Sequence, residues 1–182
     1  MRTFKLFMIA PLVLLFFGFT EPIPCYAGEA QDYKLGVKLG LNAMKHDEIF
    51  RLYEVYMVSG LPWTKHWHSG WIGYTGLSFN AGIQRAADDS GLVASMGPVF
   101  SLTKRDSRIF LIFSFRFALM DDYQFGHEDL GGRFAFIEEC GFRYYLGWNM
   151  YAGYQYRHMS NAHIYDKNPG VDMHTLELIY NF

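Results

Sequence analysis

Ile109-Phe-Leu111-Ile-Phe113-Ser114-Phe115-Arg116-Phe117-Ala118-Leu119 is the stretch whose reading decides the fold. Taking every second residue puts Ile109, Leu111, Phe113, Phe115, Phe117 and Leu119 on one face, and Ser114, Arg116 and Ala118 on the other. A strand separates side chains with a period of two, whereas a helix would mix the two sets. An unbroken apolar face backed by a charge-bearing one suits a strand with lipid outside and a packed polar lumen inside.

The same alternation recurs on both sides of this segment. Leu35, Val37, Leu39 and Leu41 oppose Lys34, Gly36, Lys38, Gly40 and Asn42. From Phe50 to Val58, Tyr53, Val55 and Met57 oppose Glu54, and from Trp71 to Arg85, Leu77, Phe79, Ala81 and Ile83 oppose Ser78, Asn80, Gly82 and Gln84. Leu92 to Leu102 alternates as well, but Pro98 has no N–H for a ladder and predicts a bulge or a strand end there. Phe134 to Tyr144 is the exception in quality: Phe134, Phe136, Cys140, Phe142 and Tyr144 share their face with Glu138, for which a bulge that turns it inward is the first reading and a role beside a lipid head group the second. Trp148 to Ser160 and Met173 to Phe182 complete eight segments, the last ending on a terminal Phe after alternating apolar residues. Gly-, Asp- and Asn-bearing loops separate them, the longest being 120–132.

Composition points the same way. Aromatic residues make up 19% of the 182-residue chain, with 13 Tyr and 17 Phe. That is a liability on a water-facing surface and the expected content of a barrel in lipid. At the N-terminus, Arg2 and Lys5 precede an apolar run from Leu6 to Phe19 and small residues near Ala27, which reads as a signal peptide over 1–27. The run is shorter than the ~20 residues of a spanning helix. A lipidated Cys25 is disfavoured by Pro22, which stands where an aliphatic residue is expected. The exported part, 28–182, then keeps one cysteine, Cys140, so no internal disulfide is expected. A net charge of −2 with no basic run argues against nucleic acid as a partner.

These observations predict an all-β, eight-stranded antiparallel transmembrane barrel spanning 28–182. Closure satisfies every backbone donor within lipid, and strands of about ten residues match an outer membrane. An even strand count leaves both termini periplasmic, so the loop over 161–172 is extracellular. Side chains fill an eight-stranded barrel, which argues against a channel. Arg51, Glu54, Arg116, Glu139, Arg143, Arg157 and Glu177 are expected to form a paired interior network.

Chemistry gathers at one rim. Up the seventh segment, Met150, Ala152, Tyr154, Tyr156, His158 and Ser160 share the lipid-side parity, while Gln155 and Arg157 face the lumen. His158 and Ser160 are next neighbours on one strand face, their Cα atoms about 6–7 Å apart. After the turn-rich Asn168-Pro169-Gly170, Asp172 shares parity with His174, Leu176 and Leu178, whereas Glu177 faces inward. A group that orients a histidine must stand on its side of the sheet, so Asp172 and not Glu177 is the expected acid. His66 and His68 alternate as metal ligands can, but sit in a turn with Trp63, Trp67 and Trp71 and read as an interfacial aromatic cluster. His46, His127 and His174 read as loop or interface residues.

Through His158-x-Ser160-Asn161-Ala162 and Asn168-Pro169-Gly170-x-Asp172, at the end of an eight-stranded barrel, the chain resembles the outer-membrane lipid A 3-O-deacylase family. The resemblance is specific over about 154–182. It implies a serine esterase that removes the 3-hydroxyacyl chain at position 3 of lipid A, with Ser160 as nucleophile, His158 as general base and Asp172 as acid. It further implies that Asn161 and nearby backbone amides bind the oxyanion; His163 stands where a Gly is common, so Asn161 and not the His163 amide is the expected donor, and Asp172 stands where Glu is often found. No cofactor and no metal are implied. The partners implied are lipid A or lipopolysaccharide as substrate and the outer membrane, with a homodimer left open. The alternative from another class is a non-catalytic small barrel with a structural or surface-interaction role.

Overall fold

A computed structural model describes residues 33–43 and 48–182 of the chain. The expected signal peptide over 1–27 and His46 lie outside the described residues. Ten strands follow in order: β1 (Tyr33–Asn42), β2 (Arg51–His66), β3 (Trp71–Ala86), β4 (Asp89–Lys104), β5 (Ile109–Met120), β6 (Gln124–Phe125), β7 (Glu128–Asp129), β8 (Phe134–Gly147), β9 (Met150–Ser160) and β10 (Val171–Asn181). Eight of them close an antiparallel barrel in the order β1-β10-β9-β8-β5-β4-β3-β2, and the short β6 and β7 pair as a separate hairpin. That hairpin lies in the long loop between β5 and β8. Its Phe125 ring meets Phe50 edge-on, 5.5 Å between centroids, and is fully buried.

The period-two reading holds along the barrel strands except where the β2–β3 ladder shifts register between Gly60 and Thr64. In β5, Ile112, Ser114, Arg116 and Ala118 are buried while Ile109, Leu111, Phe117 and Leu119 stay exposed, the inverse of a water-soluble sandwich. Trp63, Trp67, Trp71 and Trp148 are exposed at the ends of strands on the opposite rim from the 161–170 loop, where amphipathic rings suit a membrane–water interface. The lumen is filled in layers. Phe50, Leu52, Met120, Ile137, Met159 and Met173 form part of an apolar plug toward the outer rim, and Tyr56, Val58, Val99, Ile112 and Ile179 form another toward the periplasmic end.

Between the plugs lies the charged network. Glu54 meets Arg157 Nη1 at 2.9 Å, Arg116 Nη1 at 3.3 Å and Lys38 Nζ at 3.8 Å, and Asn80 donates to it at 2.8 Å. Glu139 takes Lys38 at 2.7 Å and Arg116 Nη2 at 2.6 Å. All these groups are buried, so each charge depends on its partners rather than on water. Replacing Glu54 with alanine leaves Lys38, Arg116 and Arg157 sharing one carboxylate fewer. The expected cost is about 3–5 kcal/mol, read as a lower urea midpoint for the loss of the compact, heat-modifiable barrel.

Three expectations are corrected. Arg51 lies on the exposed parity of β2 and is not part of the interior network, whose missing cation is Lys38. Pro98 neither ends β4 nor shifts it: pairing to β5 lapses at Gly97 and Pro98 and resumes in the same register at Val99 and Ser114. No bulge turns Glu138 inward, because the β5–β8 and β8–β9 ladders run through it without a register shift. His174, read as a loop or interface residue, stands on the outward face of β10, and its Nδ1 lies 2.6 Å from the Tyr154 hydroxyl.

Candidate active site

At the outer rim, strand register assembles the expected trio from two neighbouring strands. Asp172 lies directly opposite His158 in the β9–β10 ladder, and both are on the outward face. His158 Nδ1 reaches Asp172 Oδ1 at 2.7 Å, a geometry in which the imidazole N–H donates and the carboxylate accepts. The Asp172 side chain keeps only 9% of its exposure, against 24% for His158. Fixing Nδ1 as the donor leaves Nε2 as the basic nitrogen, the tautomer that a general base needs. The Tyr156 phenol, one outward position below His158, also hydrogen-bonds the Asp172 carboxylate.

Ser160 is the next outward residue above His158 and is half-buried, opposite Phe136 of β8. Among the described residues its hydroxyl makes no hydrogen bond to His158. Nucleophile–base bonds in substrate-free enzymes are commonly long and tighten when substrate arrives. Gly170, with φ of +70°, lies over the imidazole, and a Cβ there would stand 3.2 Å from His158 Cε1. Glycine therefore serves two needs at this position, a left-handed backbone and a close approach to the ring.

Glu177 is placed far from this chemistry. It is buried in the lumen, where Arg143 Nε and Tyr56 Oη each approach at 2.6 Å and Gln155 Nε2 at 2.7 Å.

The loop over 161–170 is held by Asn161. Its side-chain amide donates to Leu130 O at 2.9 Å and to Lys167 O at 2.6 Å, and its backbone N–H donates to Asn168 Oδ1 at 3.0 Å. Asn161 is 2% exposed, so its carboxamide staples two loops and has no donor left for an oxyanion. Sequence reasoning could not see this role, because Leu130 belongs to the loop between β5 and β8. Beyond Asn161 the chain turns sharply: Ile164 N–H donates to Asn161 O at 3.0 Å, with Ala162 and His163 at φ of 52° and 64°. Two successive left-handed residues are the type I′ arrangement, at a cost of roughly 1–2 kcal/mol for each residue with a Cβ. The N–H groups of Ala162 and His163 make no hydrogen bond among the described residues. The turn therefore leaves the N–H groups of the second and third residues after Ser160 without a partner, and His163 stands where the resemblance makes a glycine common. Further out, Lys167 and Asp129 pair at 2.9 Å, and the Lys167 ammonium with the Gly131 N–H holds the Asp129 carboxyl below its usual value.

His158 and Asp172 thus share one height on a lipid-facing sheet, with Ser160 one outward position above them. The family model described as lipid A 3-O-deacylase (PagL) matches residues 50–181. The chain belongs to the PagL lipid A 3-O-deacylase family. The PagL deacylases are ester hydrolases, and this chain carries their function in an eight-stranded outer-membrane barrel. A crystal structure of the outer membrane enzyme PagL aligns with a TM-score of 0.69 and 16% identity over 81% of this chain and 98% of that one, in agreement with the fold. The backbone structure of Yersinia pestis outer membrane protein Ail in a phospholipid bilayer nanodisc gives a TM-score of 0.49 and 12% identity, over 84% of this chain and 100% of that one. A de novo designed transmembrane β-barrel gives a TM-score of 0.45 and 13% identity, over 85% and 98%. No curated protein sequence matches the chain significantly.

Proposed function

We propose that Ser160, His158 and Asp172 carry the lipid A 3-O-deacylase reaction of this PagL-family barrel, working on substrate in the outer leaflet. The observation that supports this most is the 2.7 Å bond between His158 and Asp172, made on the outward face of the sheet. A hydrogen-bonded ionisable pair facing lipid is expensive for a purely structural surface, and chemistry accounts for its placement.

In this reading, His158 Nε2 takes the Ser160 hydroxyl proton as Oγ attacks the ester carbon of the 3-hydroxyacyl chain. Asp172 holds the imidazolium that forms. Collapse of the tetrahedral intermediate passes that proton to the sugar oxygen and leaves an acyl group on Ser160. Water, deprotonated by the same histidine, then releases the 3-hydroxy fatty acid and restores the serine. The Ala162 and His163 amides are the oxyanion donors in this account, each of a kind worth ~3–4 kcal/mol, in place of the Asn161 side chain. Export through a signal peptide ending at Ala27 completes the proposal. A second copy of the chain is an option that sedimentation in detergent would decide.

A fluorophosphonate probe tests the assignment without needing lipid. Incubated with the folded barrel in detergent and mapped by peptide mass spectrometry, it is expected to modify Ser160, and His158→Ala is expected to lose the modification. An adduct on another serine, or undiminished labelling of His158→Ala, counts against the trio.

A further inference from the structure

Glu138 has no evident structural purpose where it stands. Its register neighbours are Phe115 in β5 and His158 in β9, so it faces outward at the height of the imidazole. Phe115 stacks on Phe136 at 5.6 Å between centroids, which leaves the carboxyl half-buried beside aromatic rings. No hydrogen bond satisfies it among the described residues, and the ionisable groups it interacts with are His158 across the ladder and Cys140 on its own strand. A carboxyl so placed is costly on a lipid-facing sheet, and a glutamine or a leucine would fit the strand with less penalty. Glu138, His158 and Asp172 thus form one row across β8, β9 and β10, with a carboxyl on each side of the imidazole.

We propose that Glu138 is a positioning residue that stabilises the His158 imidazolium from the β8 side while Asp172 holds Nδ1 from the β10 side. The inference rests on the site assignment above and adds a second acid to it. When Ser160 gives up its proton, positive charge develops on a ring that has two carboxylates to share it. Of the other groups near the ring, Tyr156 below it on β9 is engaged with Asp172, Cys140 stands opposite Tyr156 on β8, and Gly170 of the loop brings no titratable group. His163 turns its Nδ1 toward Asn168 at 3.4 Å. Directly opposed residues on one face of an antiparallel pair have Cβ atoms about 4.5–5.5 Å apart, and a nearby opposite charge favours the charged form of an ionisable group.

The test is the pH dependence of fluorophosphonate labelling and of fatty-acid release from lipid A, on barrels verified as folded by their gel mobility before and after heating. Glu138→Gln is expected to move the acid limb of both profiles down by about one pH unit and to lower the plateau about tenfold. Glu138→Asp, which keeps the charge at a longer reach, is expected to move the limb by less, and it carries the test if the glutamine variant does not fold. A limb that stays in place in both variants overturns the inference, even if the plateau falls, since loss of packing would lower the rate at every pH alike. Ser160→Ala and His158→Ala separate the two readings. If either keeps activity, the site assignment itself fails; if both are inactive while the Glu138 limb is unmoved, only the role of Glu138 falls.

Discussion

Ser160→Ala is expected to lower fatty-acid release from lipid A by about 10⁴-fold or more while leaving the barrel folded. The size follows from the division of labour at the rim. Without the hydroxyl no acyl-enzyme can form, and His158 with Asp172 is left to activate water only. Ser160 is half-buried and makes no side-chain bond that the barrel depends on among the described residues, so the heat-modifiable mobility of the variant should match the parent. A loss of activity that came with a loss of the compact band would not count as support.

Asp172→Asn is the second large effect, a fall of about 10³–10⁴-fold. Asparagine fills the same space but can offer its amide N–H to His158 Nδ1, which drives the proton to Nε2 and leaves the ring with no basic nitrogen toward Ser160. The comparison that gives this result its meaning is Glu177→Gln. Glu177 is bound to Arg143, Tyr56 and Gln155 in the lumen, so its change should cost stability and leave the rate per folded barrel within a few-fold. Retained activity in Asp172→Asn together with loss in Glu177→Gln would reverse the choice of acid.

That choice was legible in the sequence because parity is a strict rule in a barrel. A one-residue shift exchanges lipid for lumen, and the apolar face of each strand fixes which is which. The same rule places His158, Ser160 and Asp172 outward and Arg157 and Glu177 inward before any coordinates are known. Arg51 shows how charge can mislead: an arginine suits a charged lumen, but its parity with Tyr53 and Val55 puts it outside. Glu138 is the same case: a bulge would take its carboxylate inward, but the unbroken register keeps it on the lipid side.

What the sequence could not show depends on contacts between loops far apart in the chain. Asn161 next to Ser160 suggests an oxyanion donor, yet its side-chain amide is committed to Leu130 and Lys167. The two-residue strands β6 and β7 are too short to carry a period, and their hairpin turns at Gly126 with φ of +59°. The left-handed Ala162 and His163 are likewise invisible to propensity, because neither residue favours that backbone and the surrounding loop imposes it.

The most direct measurement is a mass spectrum of lipid A before and after incubation with the purified, folded barrel and with its Ser160→Ala variant. The account predicts that the parent protein shifts lipid A down by the mass of one ester-linked 3-hydroxyacyl chain, with the matching free fatty acid recovered, and that the variant leaves the spectrum unchanged. An unchanged spectrum with the folded parent, or an equal shift with Ser160→Ala, would contradict it.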